Sequence, residues 1–279
     1  MVGNVVSDFN WFQLWGVGYL IFLLLLSFLY AKLVSSGRYT VKRIQKFYFN
    51  LGLVLFYLFV GSPLAVIAAE RLFSAHVLEL MIMLFVVPPL LILGLPKEFL
   101  RSFFWSYRMR FALKLFTHPW MTALLFNIAL SVYLIPSIFN SLQQHTFLLA
   151  MSQTALLAIA FLMWWTIISP LPEINRLSES VRVVYVFVAS VLLMPIGIFL
   201  LVAGSPFYVL YAEGGQQLLP HLTALQDQQL AGGMLKAIQL GSYGTALFLL
   251  ISKWAKKEEE PDDDFPFYPG QAMDYPTKR

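Results

Sequence analysis

The sequence predicts an all-α fold, a polytopic membrane helical bundle with seven transmembrane helices, its N-terminus outside and its C-terminus cytoplasmic. Three observations predict it. Apolar residues make up 59% of the 279 and charged residues 12%, where a soluble domain carries roughly half and a quarter. Seven stretches, roughly 12–33, 47–69, 75–95, 119–140, 145–170, 181–205 and 228–252, reach the about 20 predominantly apolar residues that a bilayer crossing needs. The third is the placement of Lys and Arg, which collect in alternate connections as the positive-inside rule requires.

Taken in order, the first connection holds Lys32, Arg38, Lys42, Arg43 and Lys46, and the third holds Lys97, Arg101, Arg108, Arg110 and Lys114. The fifth holds Arg176 and Arg182, and the C-terminal segment holds Lys253, Lys256, Lys257, Lys278 and Arg279, so these connections take seventeen of nineteen basic residues. Only Arg71 lies on the opposite side, and Lys236 falls inside the last span. The first 30 residues lack a basic start and a small-residue cleavage site, so no removable signal peptide is expected. Prolines interrupt four spans: Pro63 after Gly61-Ser62, Pro88-Pro89 in the third, Pro136 late in the fourth and Pro195 in the sixth. Each removes a ladder hydrogen bond, which a membrane helix tolerates when neighbours satisfy the freed carbonyl. Gly233, Ala237 and Gly241 recur at spacing four in span seven, a seam of small residues suited to close helix approach, within the bundle or with a partner. Residues 1–257 form the membrane domain. The remainder, 258–279, contains an acidic run broken by proline and is expected to be a disordered cytoplasmic tail.

The absence of Cys excludes disulfides, thiolate metal sites and thiol redox chemistry. No GxSxG, Walker loop or HExxH occurs, and no enzymatic activity is predicted. The basic clusters set topology, so no nucleic-acid partner is expected. A Lys in the seventh span suits a retinal protein, yet span three offers only Glu79, near its outer end, and not the mid-span counter-ion that chemistry needs. Of four histidines, the topology puts His76, His145 and His221 at the outer face and His118 at the inner one. His76, Glu79 and Met83 stand at i, i+3 and i+7 on one helical stripe, with Met81 off it. Asp227 and Met234 also stand at i and i+7, whereas Met151 does not share the face of His145. Imidazole with thioether and no thiolate suits Cu(I). Glu79 and Lys236 lie at similar depth and can form an intramembrane charge pair.

Three segments carry a family resemblance. FSAHVLELMIMLFVVPPLLILGLP, MWWTIISPLPEINRLSESVRVVYVF from Met163 and DQQLAGGMLK from Asp227 together resemble the CtaG family of assembly factors for bacterial caa-type cytochrome c oxidases. The resemblance covers about Phe73 to Leu250. It implies seven spans, a multi-pass location in the bacterial cell membrane, oxidase subunits as partners, and help with copper delivery to the copper B centre of subunit I. His76 and Asp227 carry over as candidates. Many members continue to a second histidine four residues after the first, followed by Met; here those places are Leu80 and Met81. Copper would then bind His76 with help from Met83, His145, Asp227 or Met234. The alternatives are a metal-free scaffold that stabilises oxidase subunits through the Gly233–Gly241 seam, and a small-molecule transporter, against which the odd span count and lack of an internal repeat argue.

Overall fold

In the computed structural model the described residues, 10–174, 177–211, 219 and 221–259, form helices and connections with no strand. The tail from residue 260 and Arg176 lie outside the described residues. After one helical turn at Trp11–Leu14, the chain builds α1 (Val17–Ser35), α2 (Arg43–Val60), α3 (Pro63–Glu70), α4 (Phe73–Phe85) and α5 (Val87–Gly94). There follow α6 (Lys97–Phe103), α7 (Tyr107–Phe116), α8 (Pro119–Tyr133), α9 (Pro136–Gln143) and α10 (Thr146–Ile168). The last are α11 (Glu179–Leu192), α12 (Met194–Leu201), a 3-10 turn at Val209–Tyr211, and α13 (Ala224–Glu259).

Each of the seven predicted stretches is mostly helical, with breaks at 61–62 and 134–135 and non-helical ends at 169–170 and 203–205. Five segments among the described residues are long and apolar enough to cross a membrane: Val17–Ser35, Phe73–Gly94, Thr146–Ile168, Glu179–Leu201 and Ala224–Ala255. A sixth arises if α7 and α8, bent by 59° at Thr117–His118, count as one span. The predicted stretch 47–69 is divided between α2 and α3 at Gly61-Ser62, and the start of α2 carries Arg43, Gln45, Lys46 and Asn50.

Long-range contacts define two ends of the bundle. At the Lys97 end, Tyr30 of α1 donates to the Gly94 carbonyl (2.8 Å), Thr166 of α10 donates to the Thr117 carbonyl (3.3 Å), and Arg101 pairs with Glu173 (2.6 Å). The Arg101 guanidinium holds the Glu173 carboxyl below its ordinary range. At the His76 end, Tyr57 donates to the Trp15 carbonyl (3.0 Å), Tyr208 donates to the Leu134 carbonyl (2.6 Å), and Asp227 meets the start of α4.

α4 is the central element, packed against α2, α3, α10 and α13. Nine of its thirteen residues are buried, from Phe73 to Phe85. Its continuation is broken where Pro88 removes the N–H that would have bonded the Leu84 carbonyl. Trp164 of α10 supplies the missing donor, its indole N–H reaching Leu84 O at 3.0 Å. One aromatic of the Trp-Trp pair thereby repairs the proline break in α4–α5. Close helix approach is set by glycine at two crossings. A Cβ on Gly94 would lie 2.7 Å from the backbone nitrogen of Phe49 in α2, and one on Gly232 would lie 2.8 Å from the backbone nitrogen of Leu201 in α12. The predicted seam is not used this way: nothing lies within 4 Å of a Cβ on Gly241, only Leu201 Cδ2 at 3.9 Å comes near Gly233, and Ala237 is exposed.

Candidate functional site

His76 lies one turn into α4, and it alone of the four histidines is buried. Its Nε2 sits 3.1 Å from the Tyr133 hydroxyl at the end of α8, and that hydroxyl accepts from the Gln153 amide of α10 at 3.4 Å. Phe139 packs edge-on to the imidazole with centroids 5.2 Å apart, and Tyr211 leans on it at 6.4 Å. Rings from α8, α9 and the 3-10 turn thus hold the imidazole plane, while one ring nitrogen is shared with a phenol.

The i, i+3, i+7 stripe does converge. His76, Glu79 and Met83 line one cavity of about 160 Å³, together with Leu80, Gln153 and Thr154. Its mouth opens on the side of the bundle between α1–α2 and α10, where Tyr19, Ala150 and Thr154 are exposed. The helical period places the three donors on one face, and that face lines the cavity. Met83 is 8% exposed. No hydrogen-bond donor from the described residues reaches the Glu79 carboxyl. The cavity thereby gathers an imidazole, a carboxylate and a thioether, with an amide and a hydroxyl at the rim. It contains no third His, Cys, Asp or Glu, and no group of three such residues exists among the described ones.

Asp227 does a different job from the predicted one. Its Oδ2 accepts from the Phe73 N–H at 2.7 Å, its Oδ1 accepts from the Ser74 N–H at 3.1 Å, and Oδ1 also takes a hydrogen bond from the Ser74 hydroxyl. The residue preceding α4, Leu72, has no side-chain acceptor, and the first N–H groups of any helix lack intrahelical partners. A carboxylate from α13 therefore caps α4 in place of a local residue, complementing the positive end of its dipole as well. At 2% exposure, with both oxygens engaged, Asp227 is a cap and does not face the cavity.

The other predicted residues do not join the cavity. His145 is exposed at the start of α10, and Met234 does not line the cavity. The Glu79–Lys236 pair does not form. The Lys236 ammonium donates to the Leu193 carbonyl (3.3 Å) and to Gln239 Oε1 (3.0 Å), its arm lying over Gly197, where a Cβ would sit 2.3 Å from its Cε. Lys236 faces the α11–α12 break beside Pro195, whereas Glu79 faces the opposite cleft. Equal depth along two helices left the rotational direction of each undefined, and direction decides the partner.

Sequence reasoning missed Tyr133 and Gln153, the polar partners around His76. Gln153 carried a signal, being a polar side chain within an apolar span. Tyr133 carried none, since tyrosine is frequent in this chain.

The fold and cavity define a class: an all-helical protein with several helices long and apolar enough to span a membrane, holding one buried imidazole beside a carboxylate and a thioether. The chain belongs to the cytochrome c oxidase caa3 assembly factor family (CtaG), whose model matches residues 17–257, most of the chain. No curated protein and no solved structure matches it. The resemblance read from the three sequence segments is borne out.

Proposed function

We propose that this protein crosses the bacterial cell membrane seven times, N-terminus outside, and offers copper to the copper B centre of oxidase subunit I as a non-catalytic assembly factor. Copper is its cargo. The observation that carries the reading is the convergence of His76, Glu79 and Met83 on one laterally open cavity. Imidazole and thioether suit Cu(I), and a carboxylate beside them balances its charge. So few strong donors make a shallow site, which favours release over storage. A lateral mouth suits transfer between two membrane proteins lying side by side. Oxidase components are the partners that the family description supports, and subunit I follows in this reading as the subunit that holds the copper B centre.

Alternation supports the topology. The connections at the Lys97 end carry most of the basic residues, and those at the His76 end carry few.

The metal-free scaffold also has an observation in its favour. Gly241 has no neighbour where a Cβ would stand and Ala237 is exposed, so the small-residue face of α13 is open to another helix. The two readings part in one experiment. Deleting the gene and complementing with His76→Ala is expected to leave oxidase subunit I present in the membrane but deficient in copper. Full copper loading of the oxidase in the deletion strain rejects assembly altogether, and full loading with His76→Ala favours the scaffold.

A further inference from the structure

A second cavity lies in the opposite half of the molecule, separate from the His76 cleft. It is a groove of about 510 Å³ bounded by α5, α10 and α13, with Pro89, Trp164, Gly241 and Ala246 among its walls, and Tyr48 and Lys253 also lining it. The groove lies where α13 runs as one unbroken helix past the proline break in α4–α5, and Gly241 contributes no side chain to fill it. Gly241 to Lys253 spans about 18 Å of helix at 1.5 Å per residue.

Its walls are apolar and its polar groups are few. Thr245 is already satisfied, donating to the Gly241 carbonyl at 2.7 Å. Lys253 is exposed at the Lys97 end, and among the described residues its ammonium has no acidic partner. The Tyr48 hydroxyl likewise has no hydrogen-bond partner among them. A long apolar channel closing on an exposed ammonium and a phenol fits an amphiphile with an anionic head.

Charge separates the occupants: the groove ends at the Lys253 ammonium and the Tyr48 hydroxyl, which an anionic head group engages and an apolar helix face does not. An acyl chain needs no hydrogen bond from the apolar walls. Basic residues at the cytoplasmic edge of a helix bundle attract anionic head groups.

We infer that this groove binds an anionic phospholipid, one acyl chain lying between α5, α10 and α13 and the head-group phosphate meeting Lys253 and Tyr48. The site would brace the broken α4–α5 helix against α13, on the same helix that carries His76.

The test uses the full chain, purified in detergent and stripped of lipid, with phosphatidylglycerol or phosphatidylcholine of identical chains added back. Phosphatidylglycerol is expected to raise the unfolding temperature by about 5 °C and phosphatidylcholine by clearly less. Lys253→Gln, a surface change that leaves the groove intact, is expected to respond equally to the two lipids. Ala246→Trp, which fills the groove, is expected to respond to neither. Equal stabilisation of the wild type by both lipids, no response to either, or a phosphatidylglycerol preference that survives in Lys253→Gln overturns the site.

Discussion

In the sequence Asp227 and His76 are two candidates of the same kind, and in the structure their side chains do unlike work. His76 presents a ring nitrogen within a cluster of aromatic side chains and lines a cavity. Asp227 spends its carboxylate on the first amides of the helix that carries His76. A carboxylate cap with three donors in a buried setting is a stability device, so Asp227→Ala is expected to cost about 2 kcal/mol or more. Asp227→Asn retains one acceptor oxygen and is expected to cost less. Unfolding midpoints in detergent measure both; an alanine variant as stable as the wild type would show that the cap is dispensable. The stripe of His76, Glu79 and Met83 was legible because helical period is a local property. The cap was not, because it joins residues 154 positions apart. Nothing in the spacing of a single helix announces where another will deliver an acceptor. The same limit explains the Glu79–Lys236 pair: matching depths were readable, facing directions were not.

Between elements, proline breaks and glycine crossings decide the geometry. Pro88 frees the Leu84 carbonyl and Trp164 takes it, so the break is a built joint between α4 and α10. Glycine spacing alone identified a seam at Gly233, Ala237 and Gly241, whereas the close approach within the bundle passes through Gly232. A one-residue difference rotates the contact by about 100° around a helix of 3.6 residues per turn, enough to move it from the bundle to the open face. Gly232→Ala is expected to destabilise by about 1–3 kcal/mol through a clash with the backbone of Leu201. Gly241→Ala is expected to leave stability unchanged or slightly improved, alanine being the better helix former. Unfolding measurements on the two variants check this; equal losses at both positions would contradict the assigned crossing.

For the whole molecule, composition and charge alternation revealed the class, and three linked segments revealed the family, whose model matches residues 17–257. The span count was harder. Three predicted spans straddle proline breaks with intact flanking helices, but the stretch at 119–140 divides at Pro136, and α7 meets α8 at 59°. Hydropathy averages over such bends and does not register them. Because the chain has no Cys, single cysteines report sidedness cleanly. Gln144→Cys, exposed before α10, is expected to react with a membrane-impermeant maleimide in intact cells, and Trp105→Cys, exposed between α6 and α7, only after permeabilisation. Labelling of both from one side would remove the crossing between them and break the seven-span topology.

The central claim is that the His76 cleft holds copper. Its most direct test is anaerobic Cu(I) titration of the purified protein against a chelator of known affinity, comparing wild type with His76→Ala and Met83→Leu, each checked for an unchanged unfolding midpoint. The account predicts a single Cu(I) bound per wild-type chain, weaker binding in Met83→Leu, and loss of binding in His76→Ala. Undiminished Cu(I) binding by a folded His76→Ala variant, or no binding by the wild type, would contradict it.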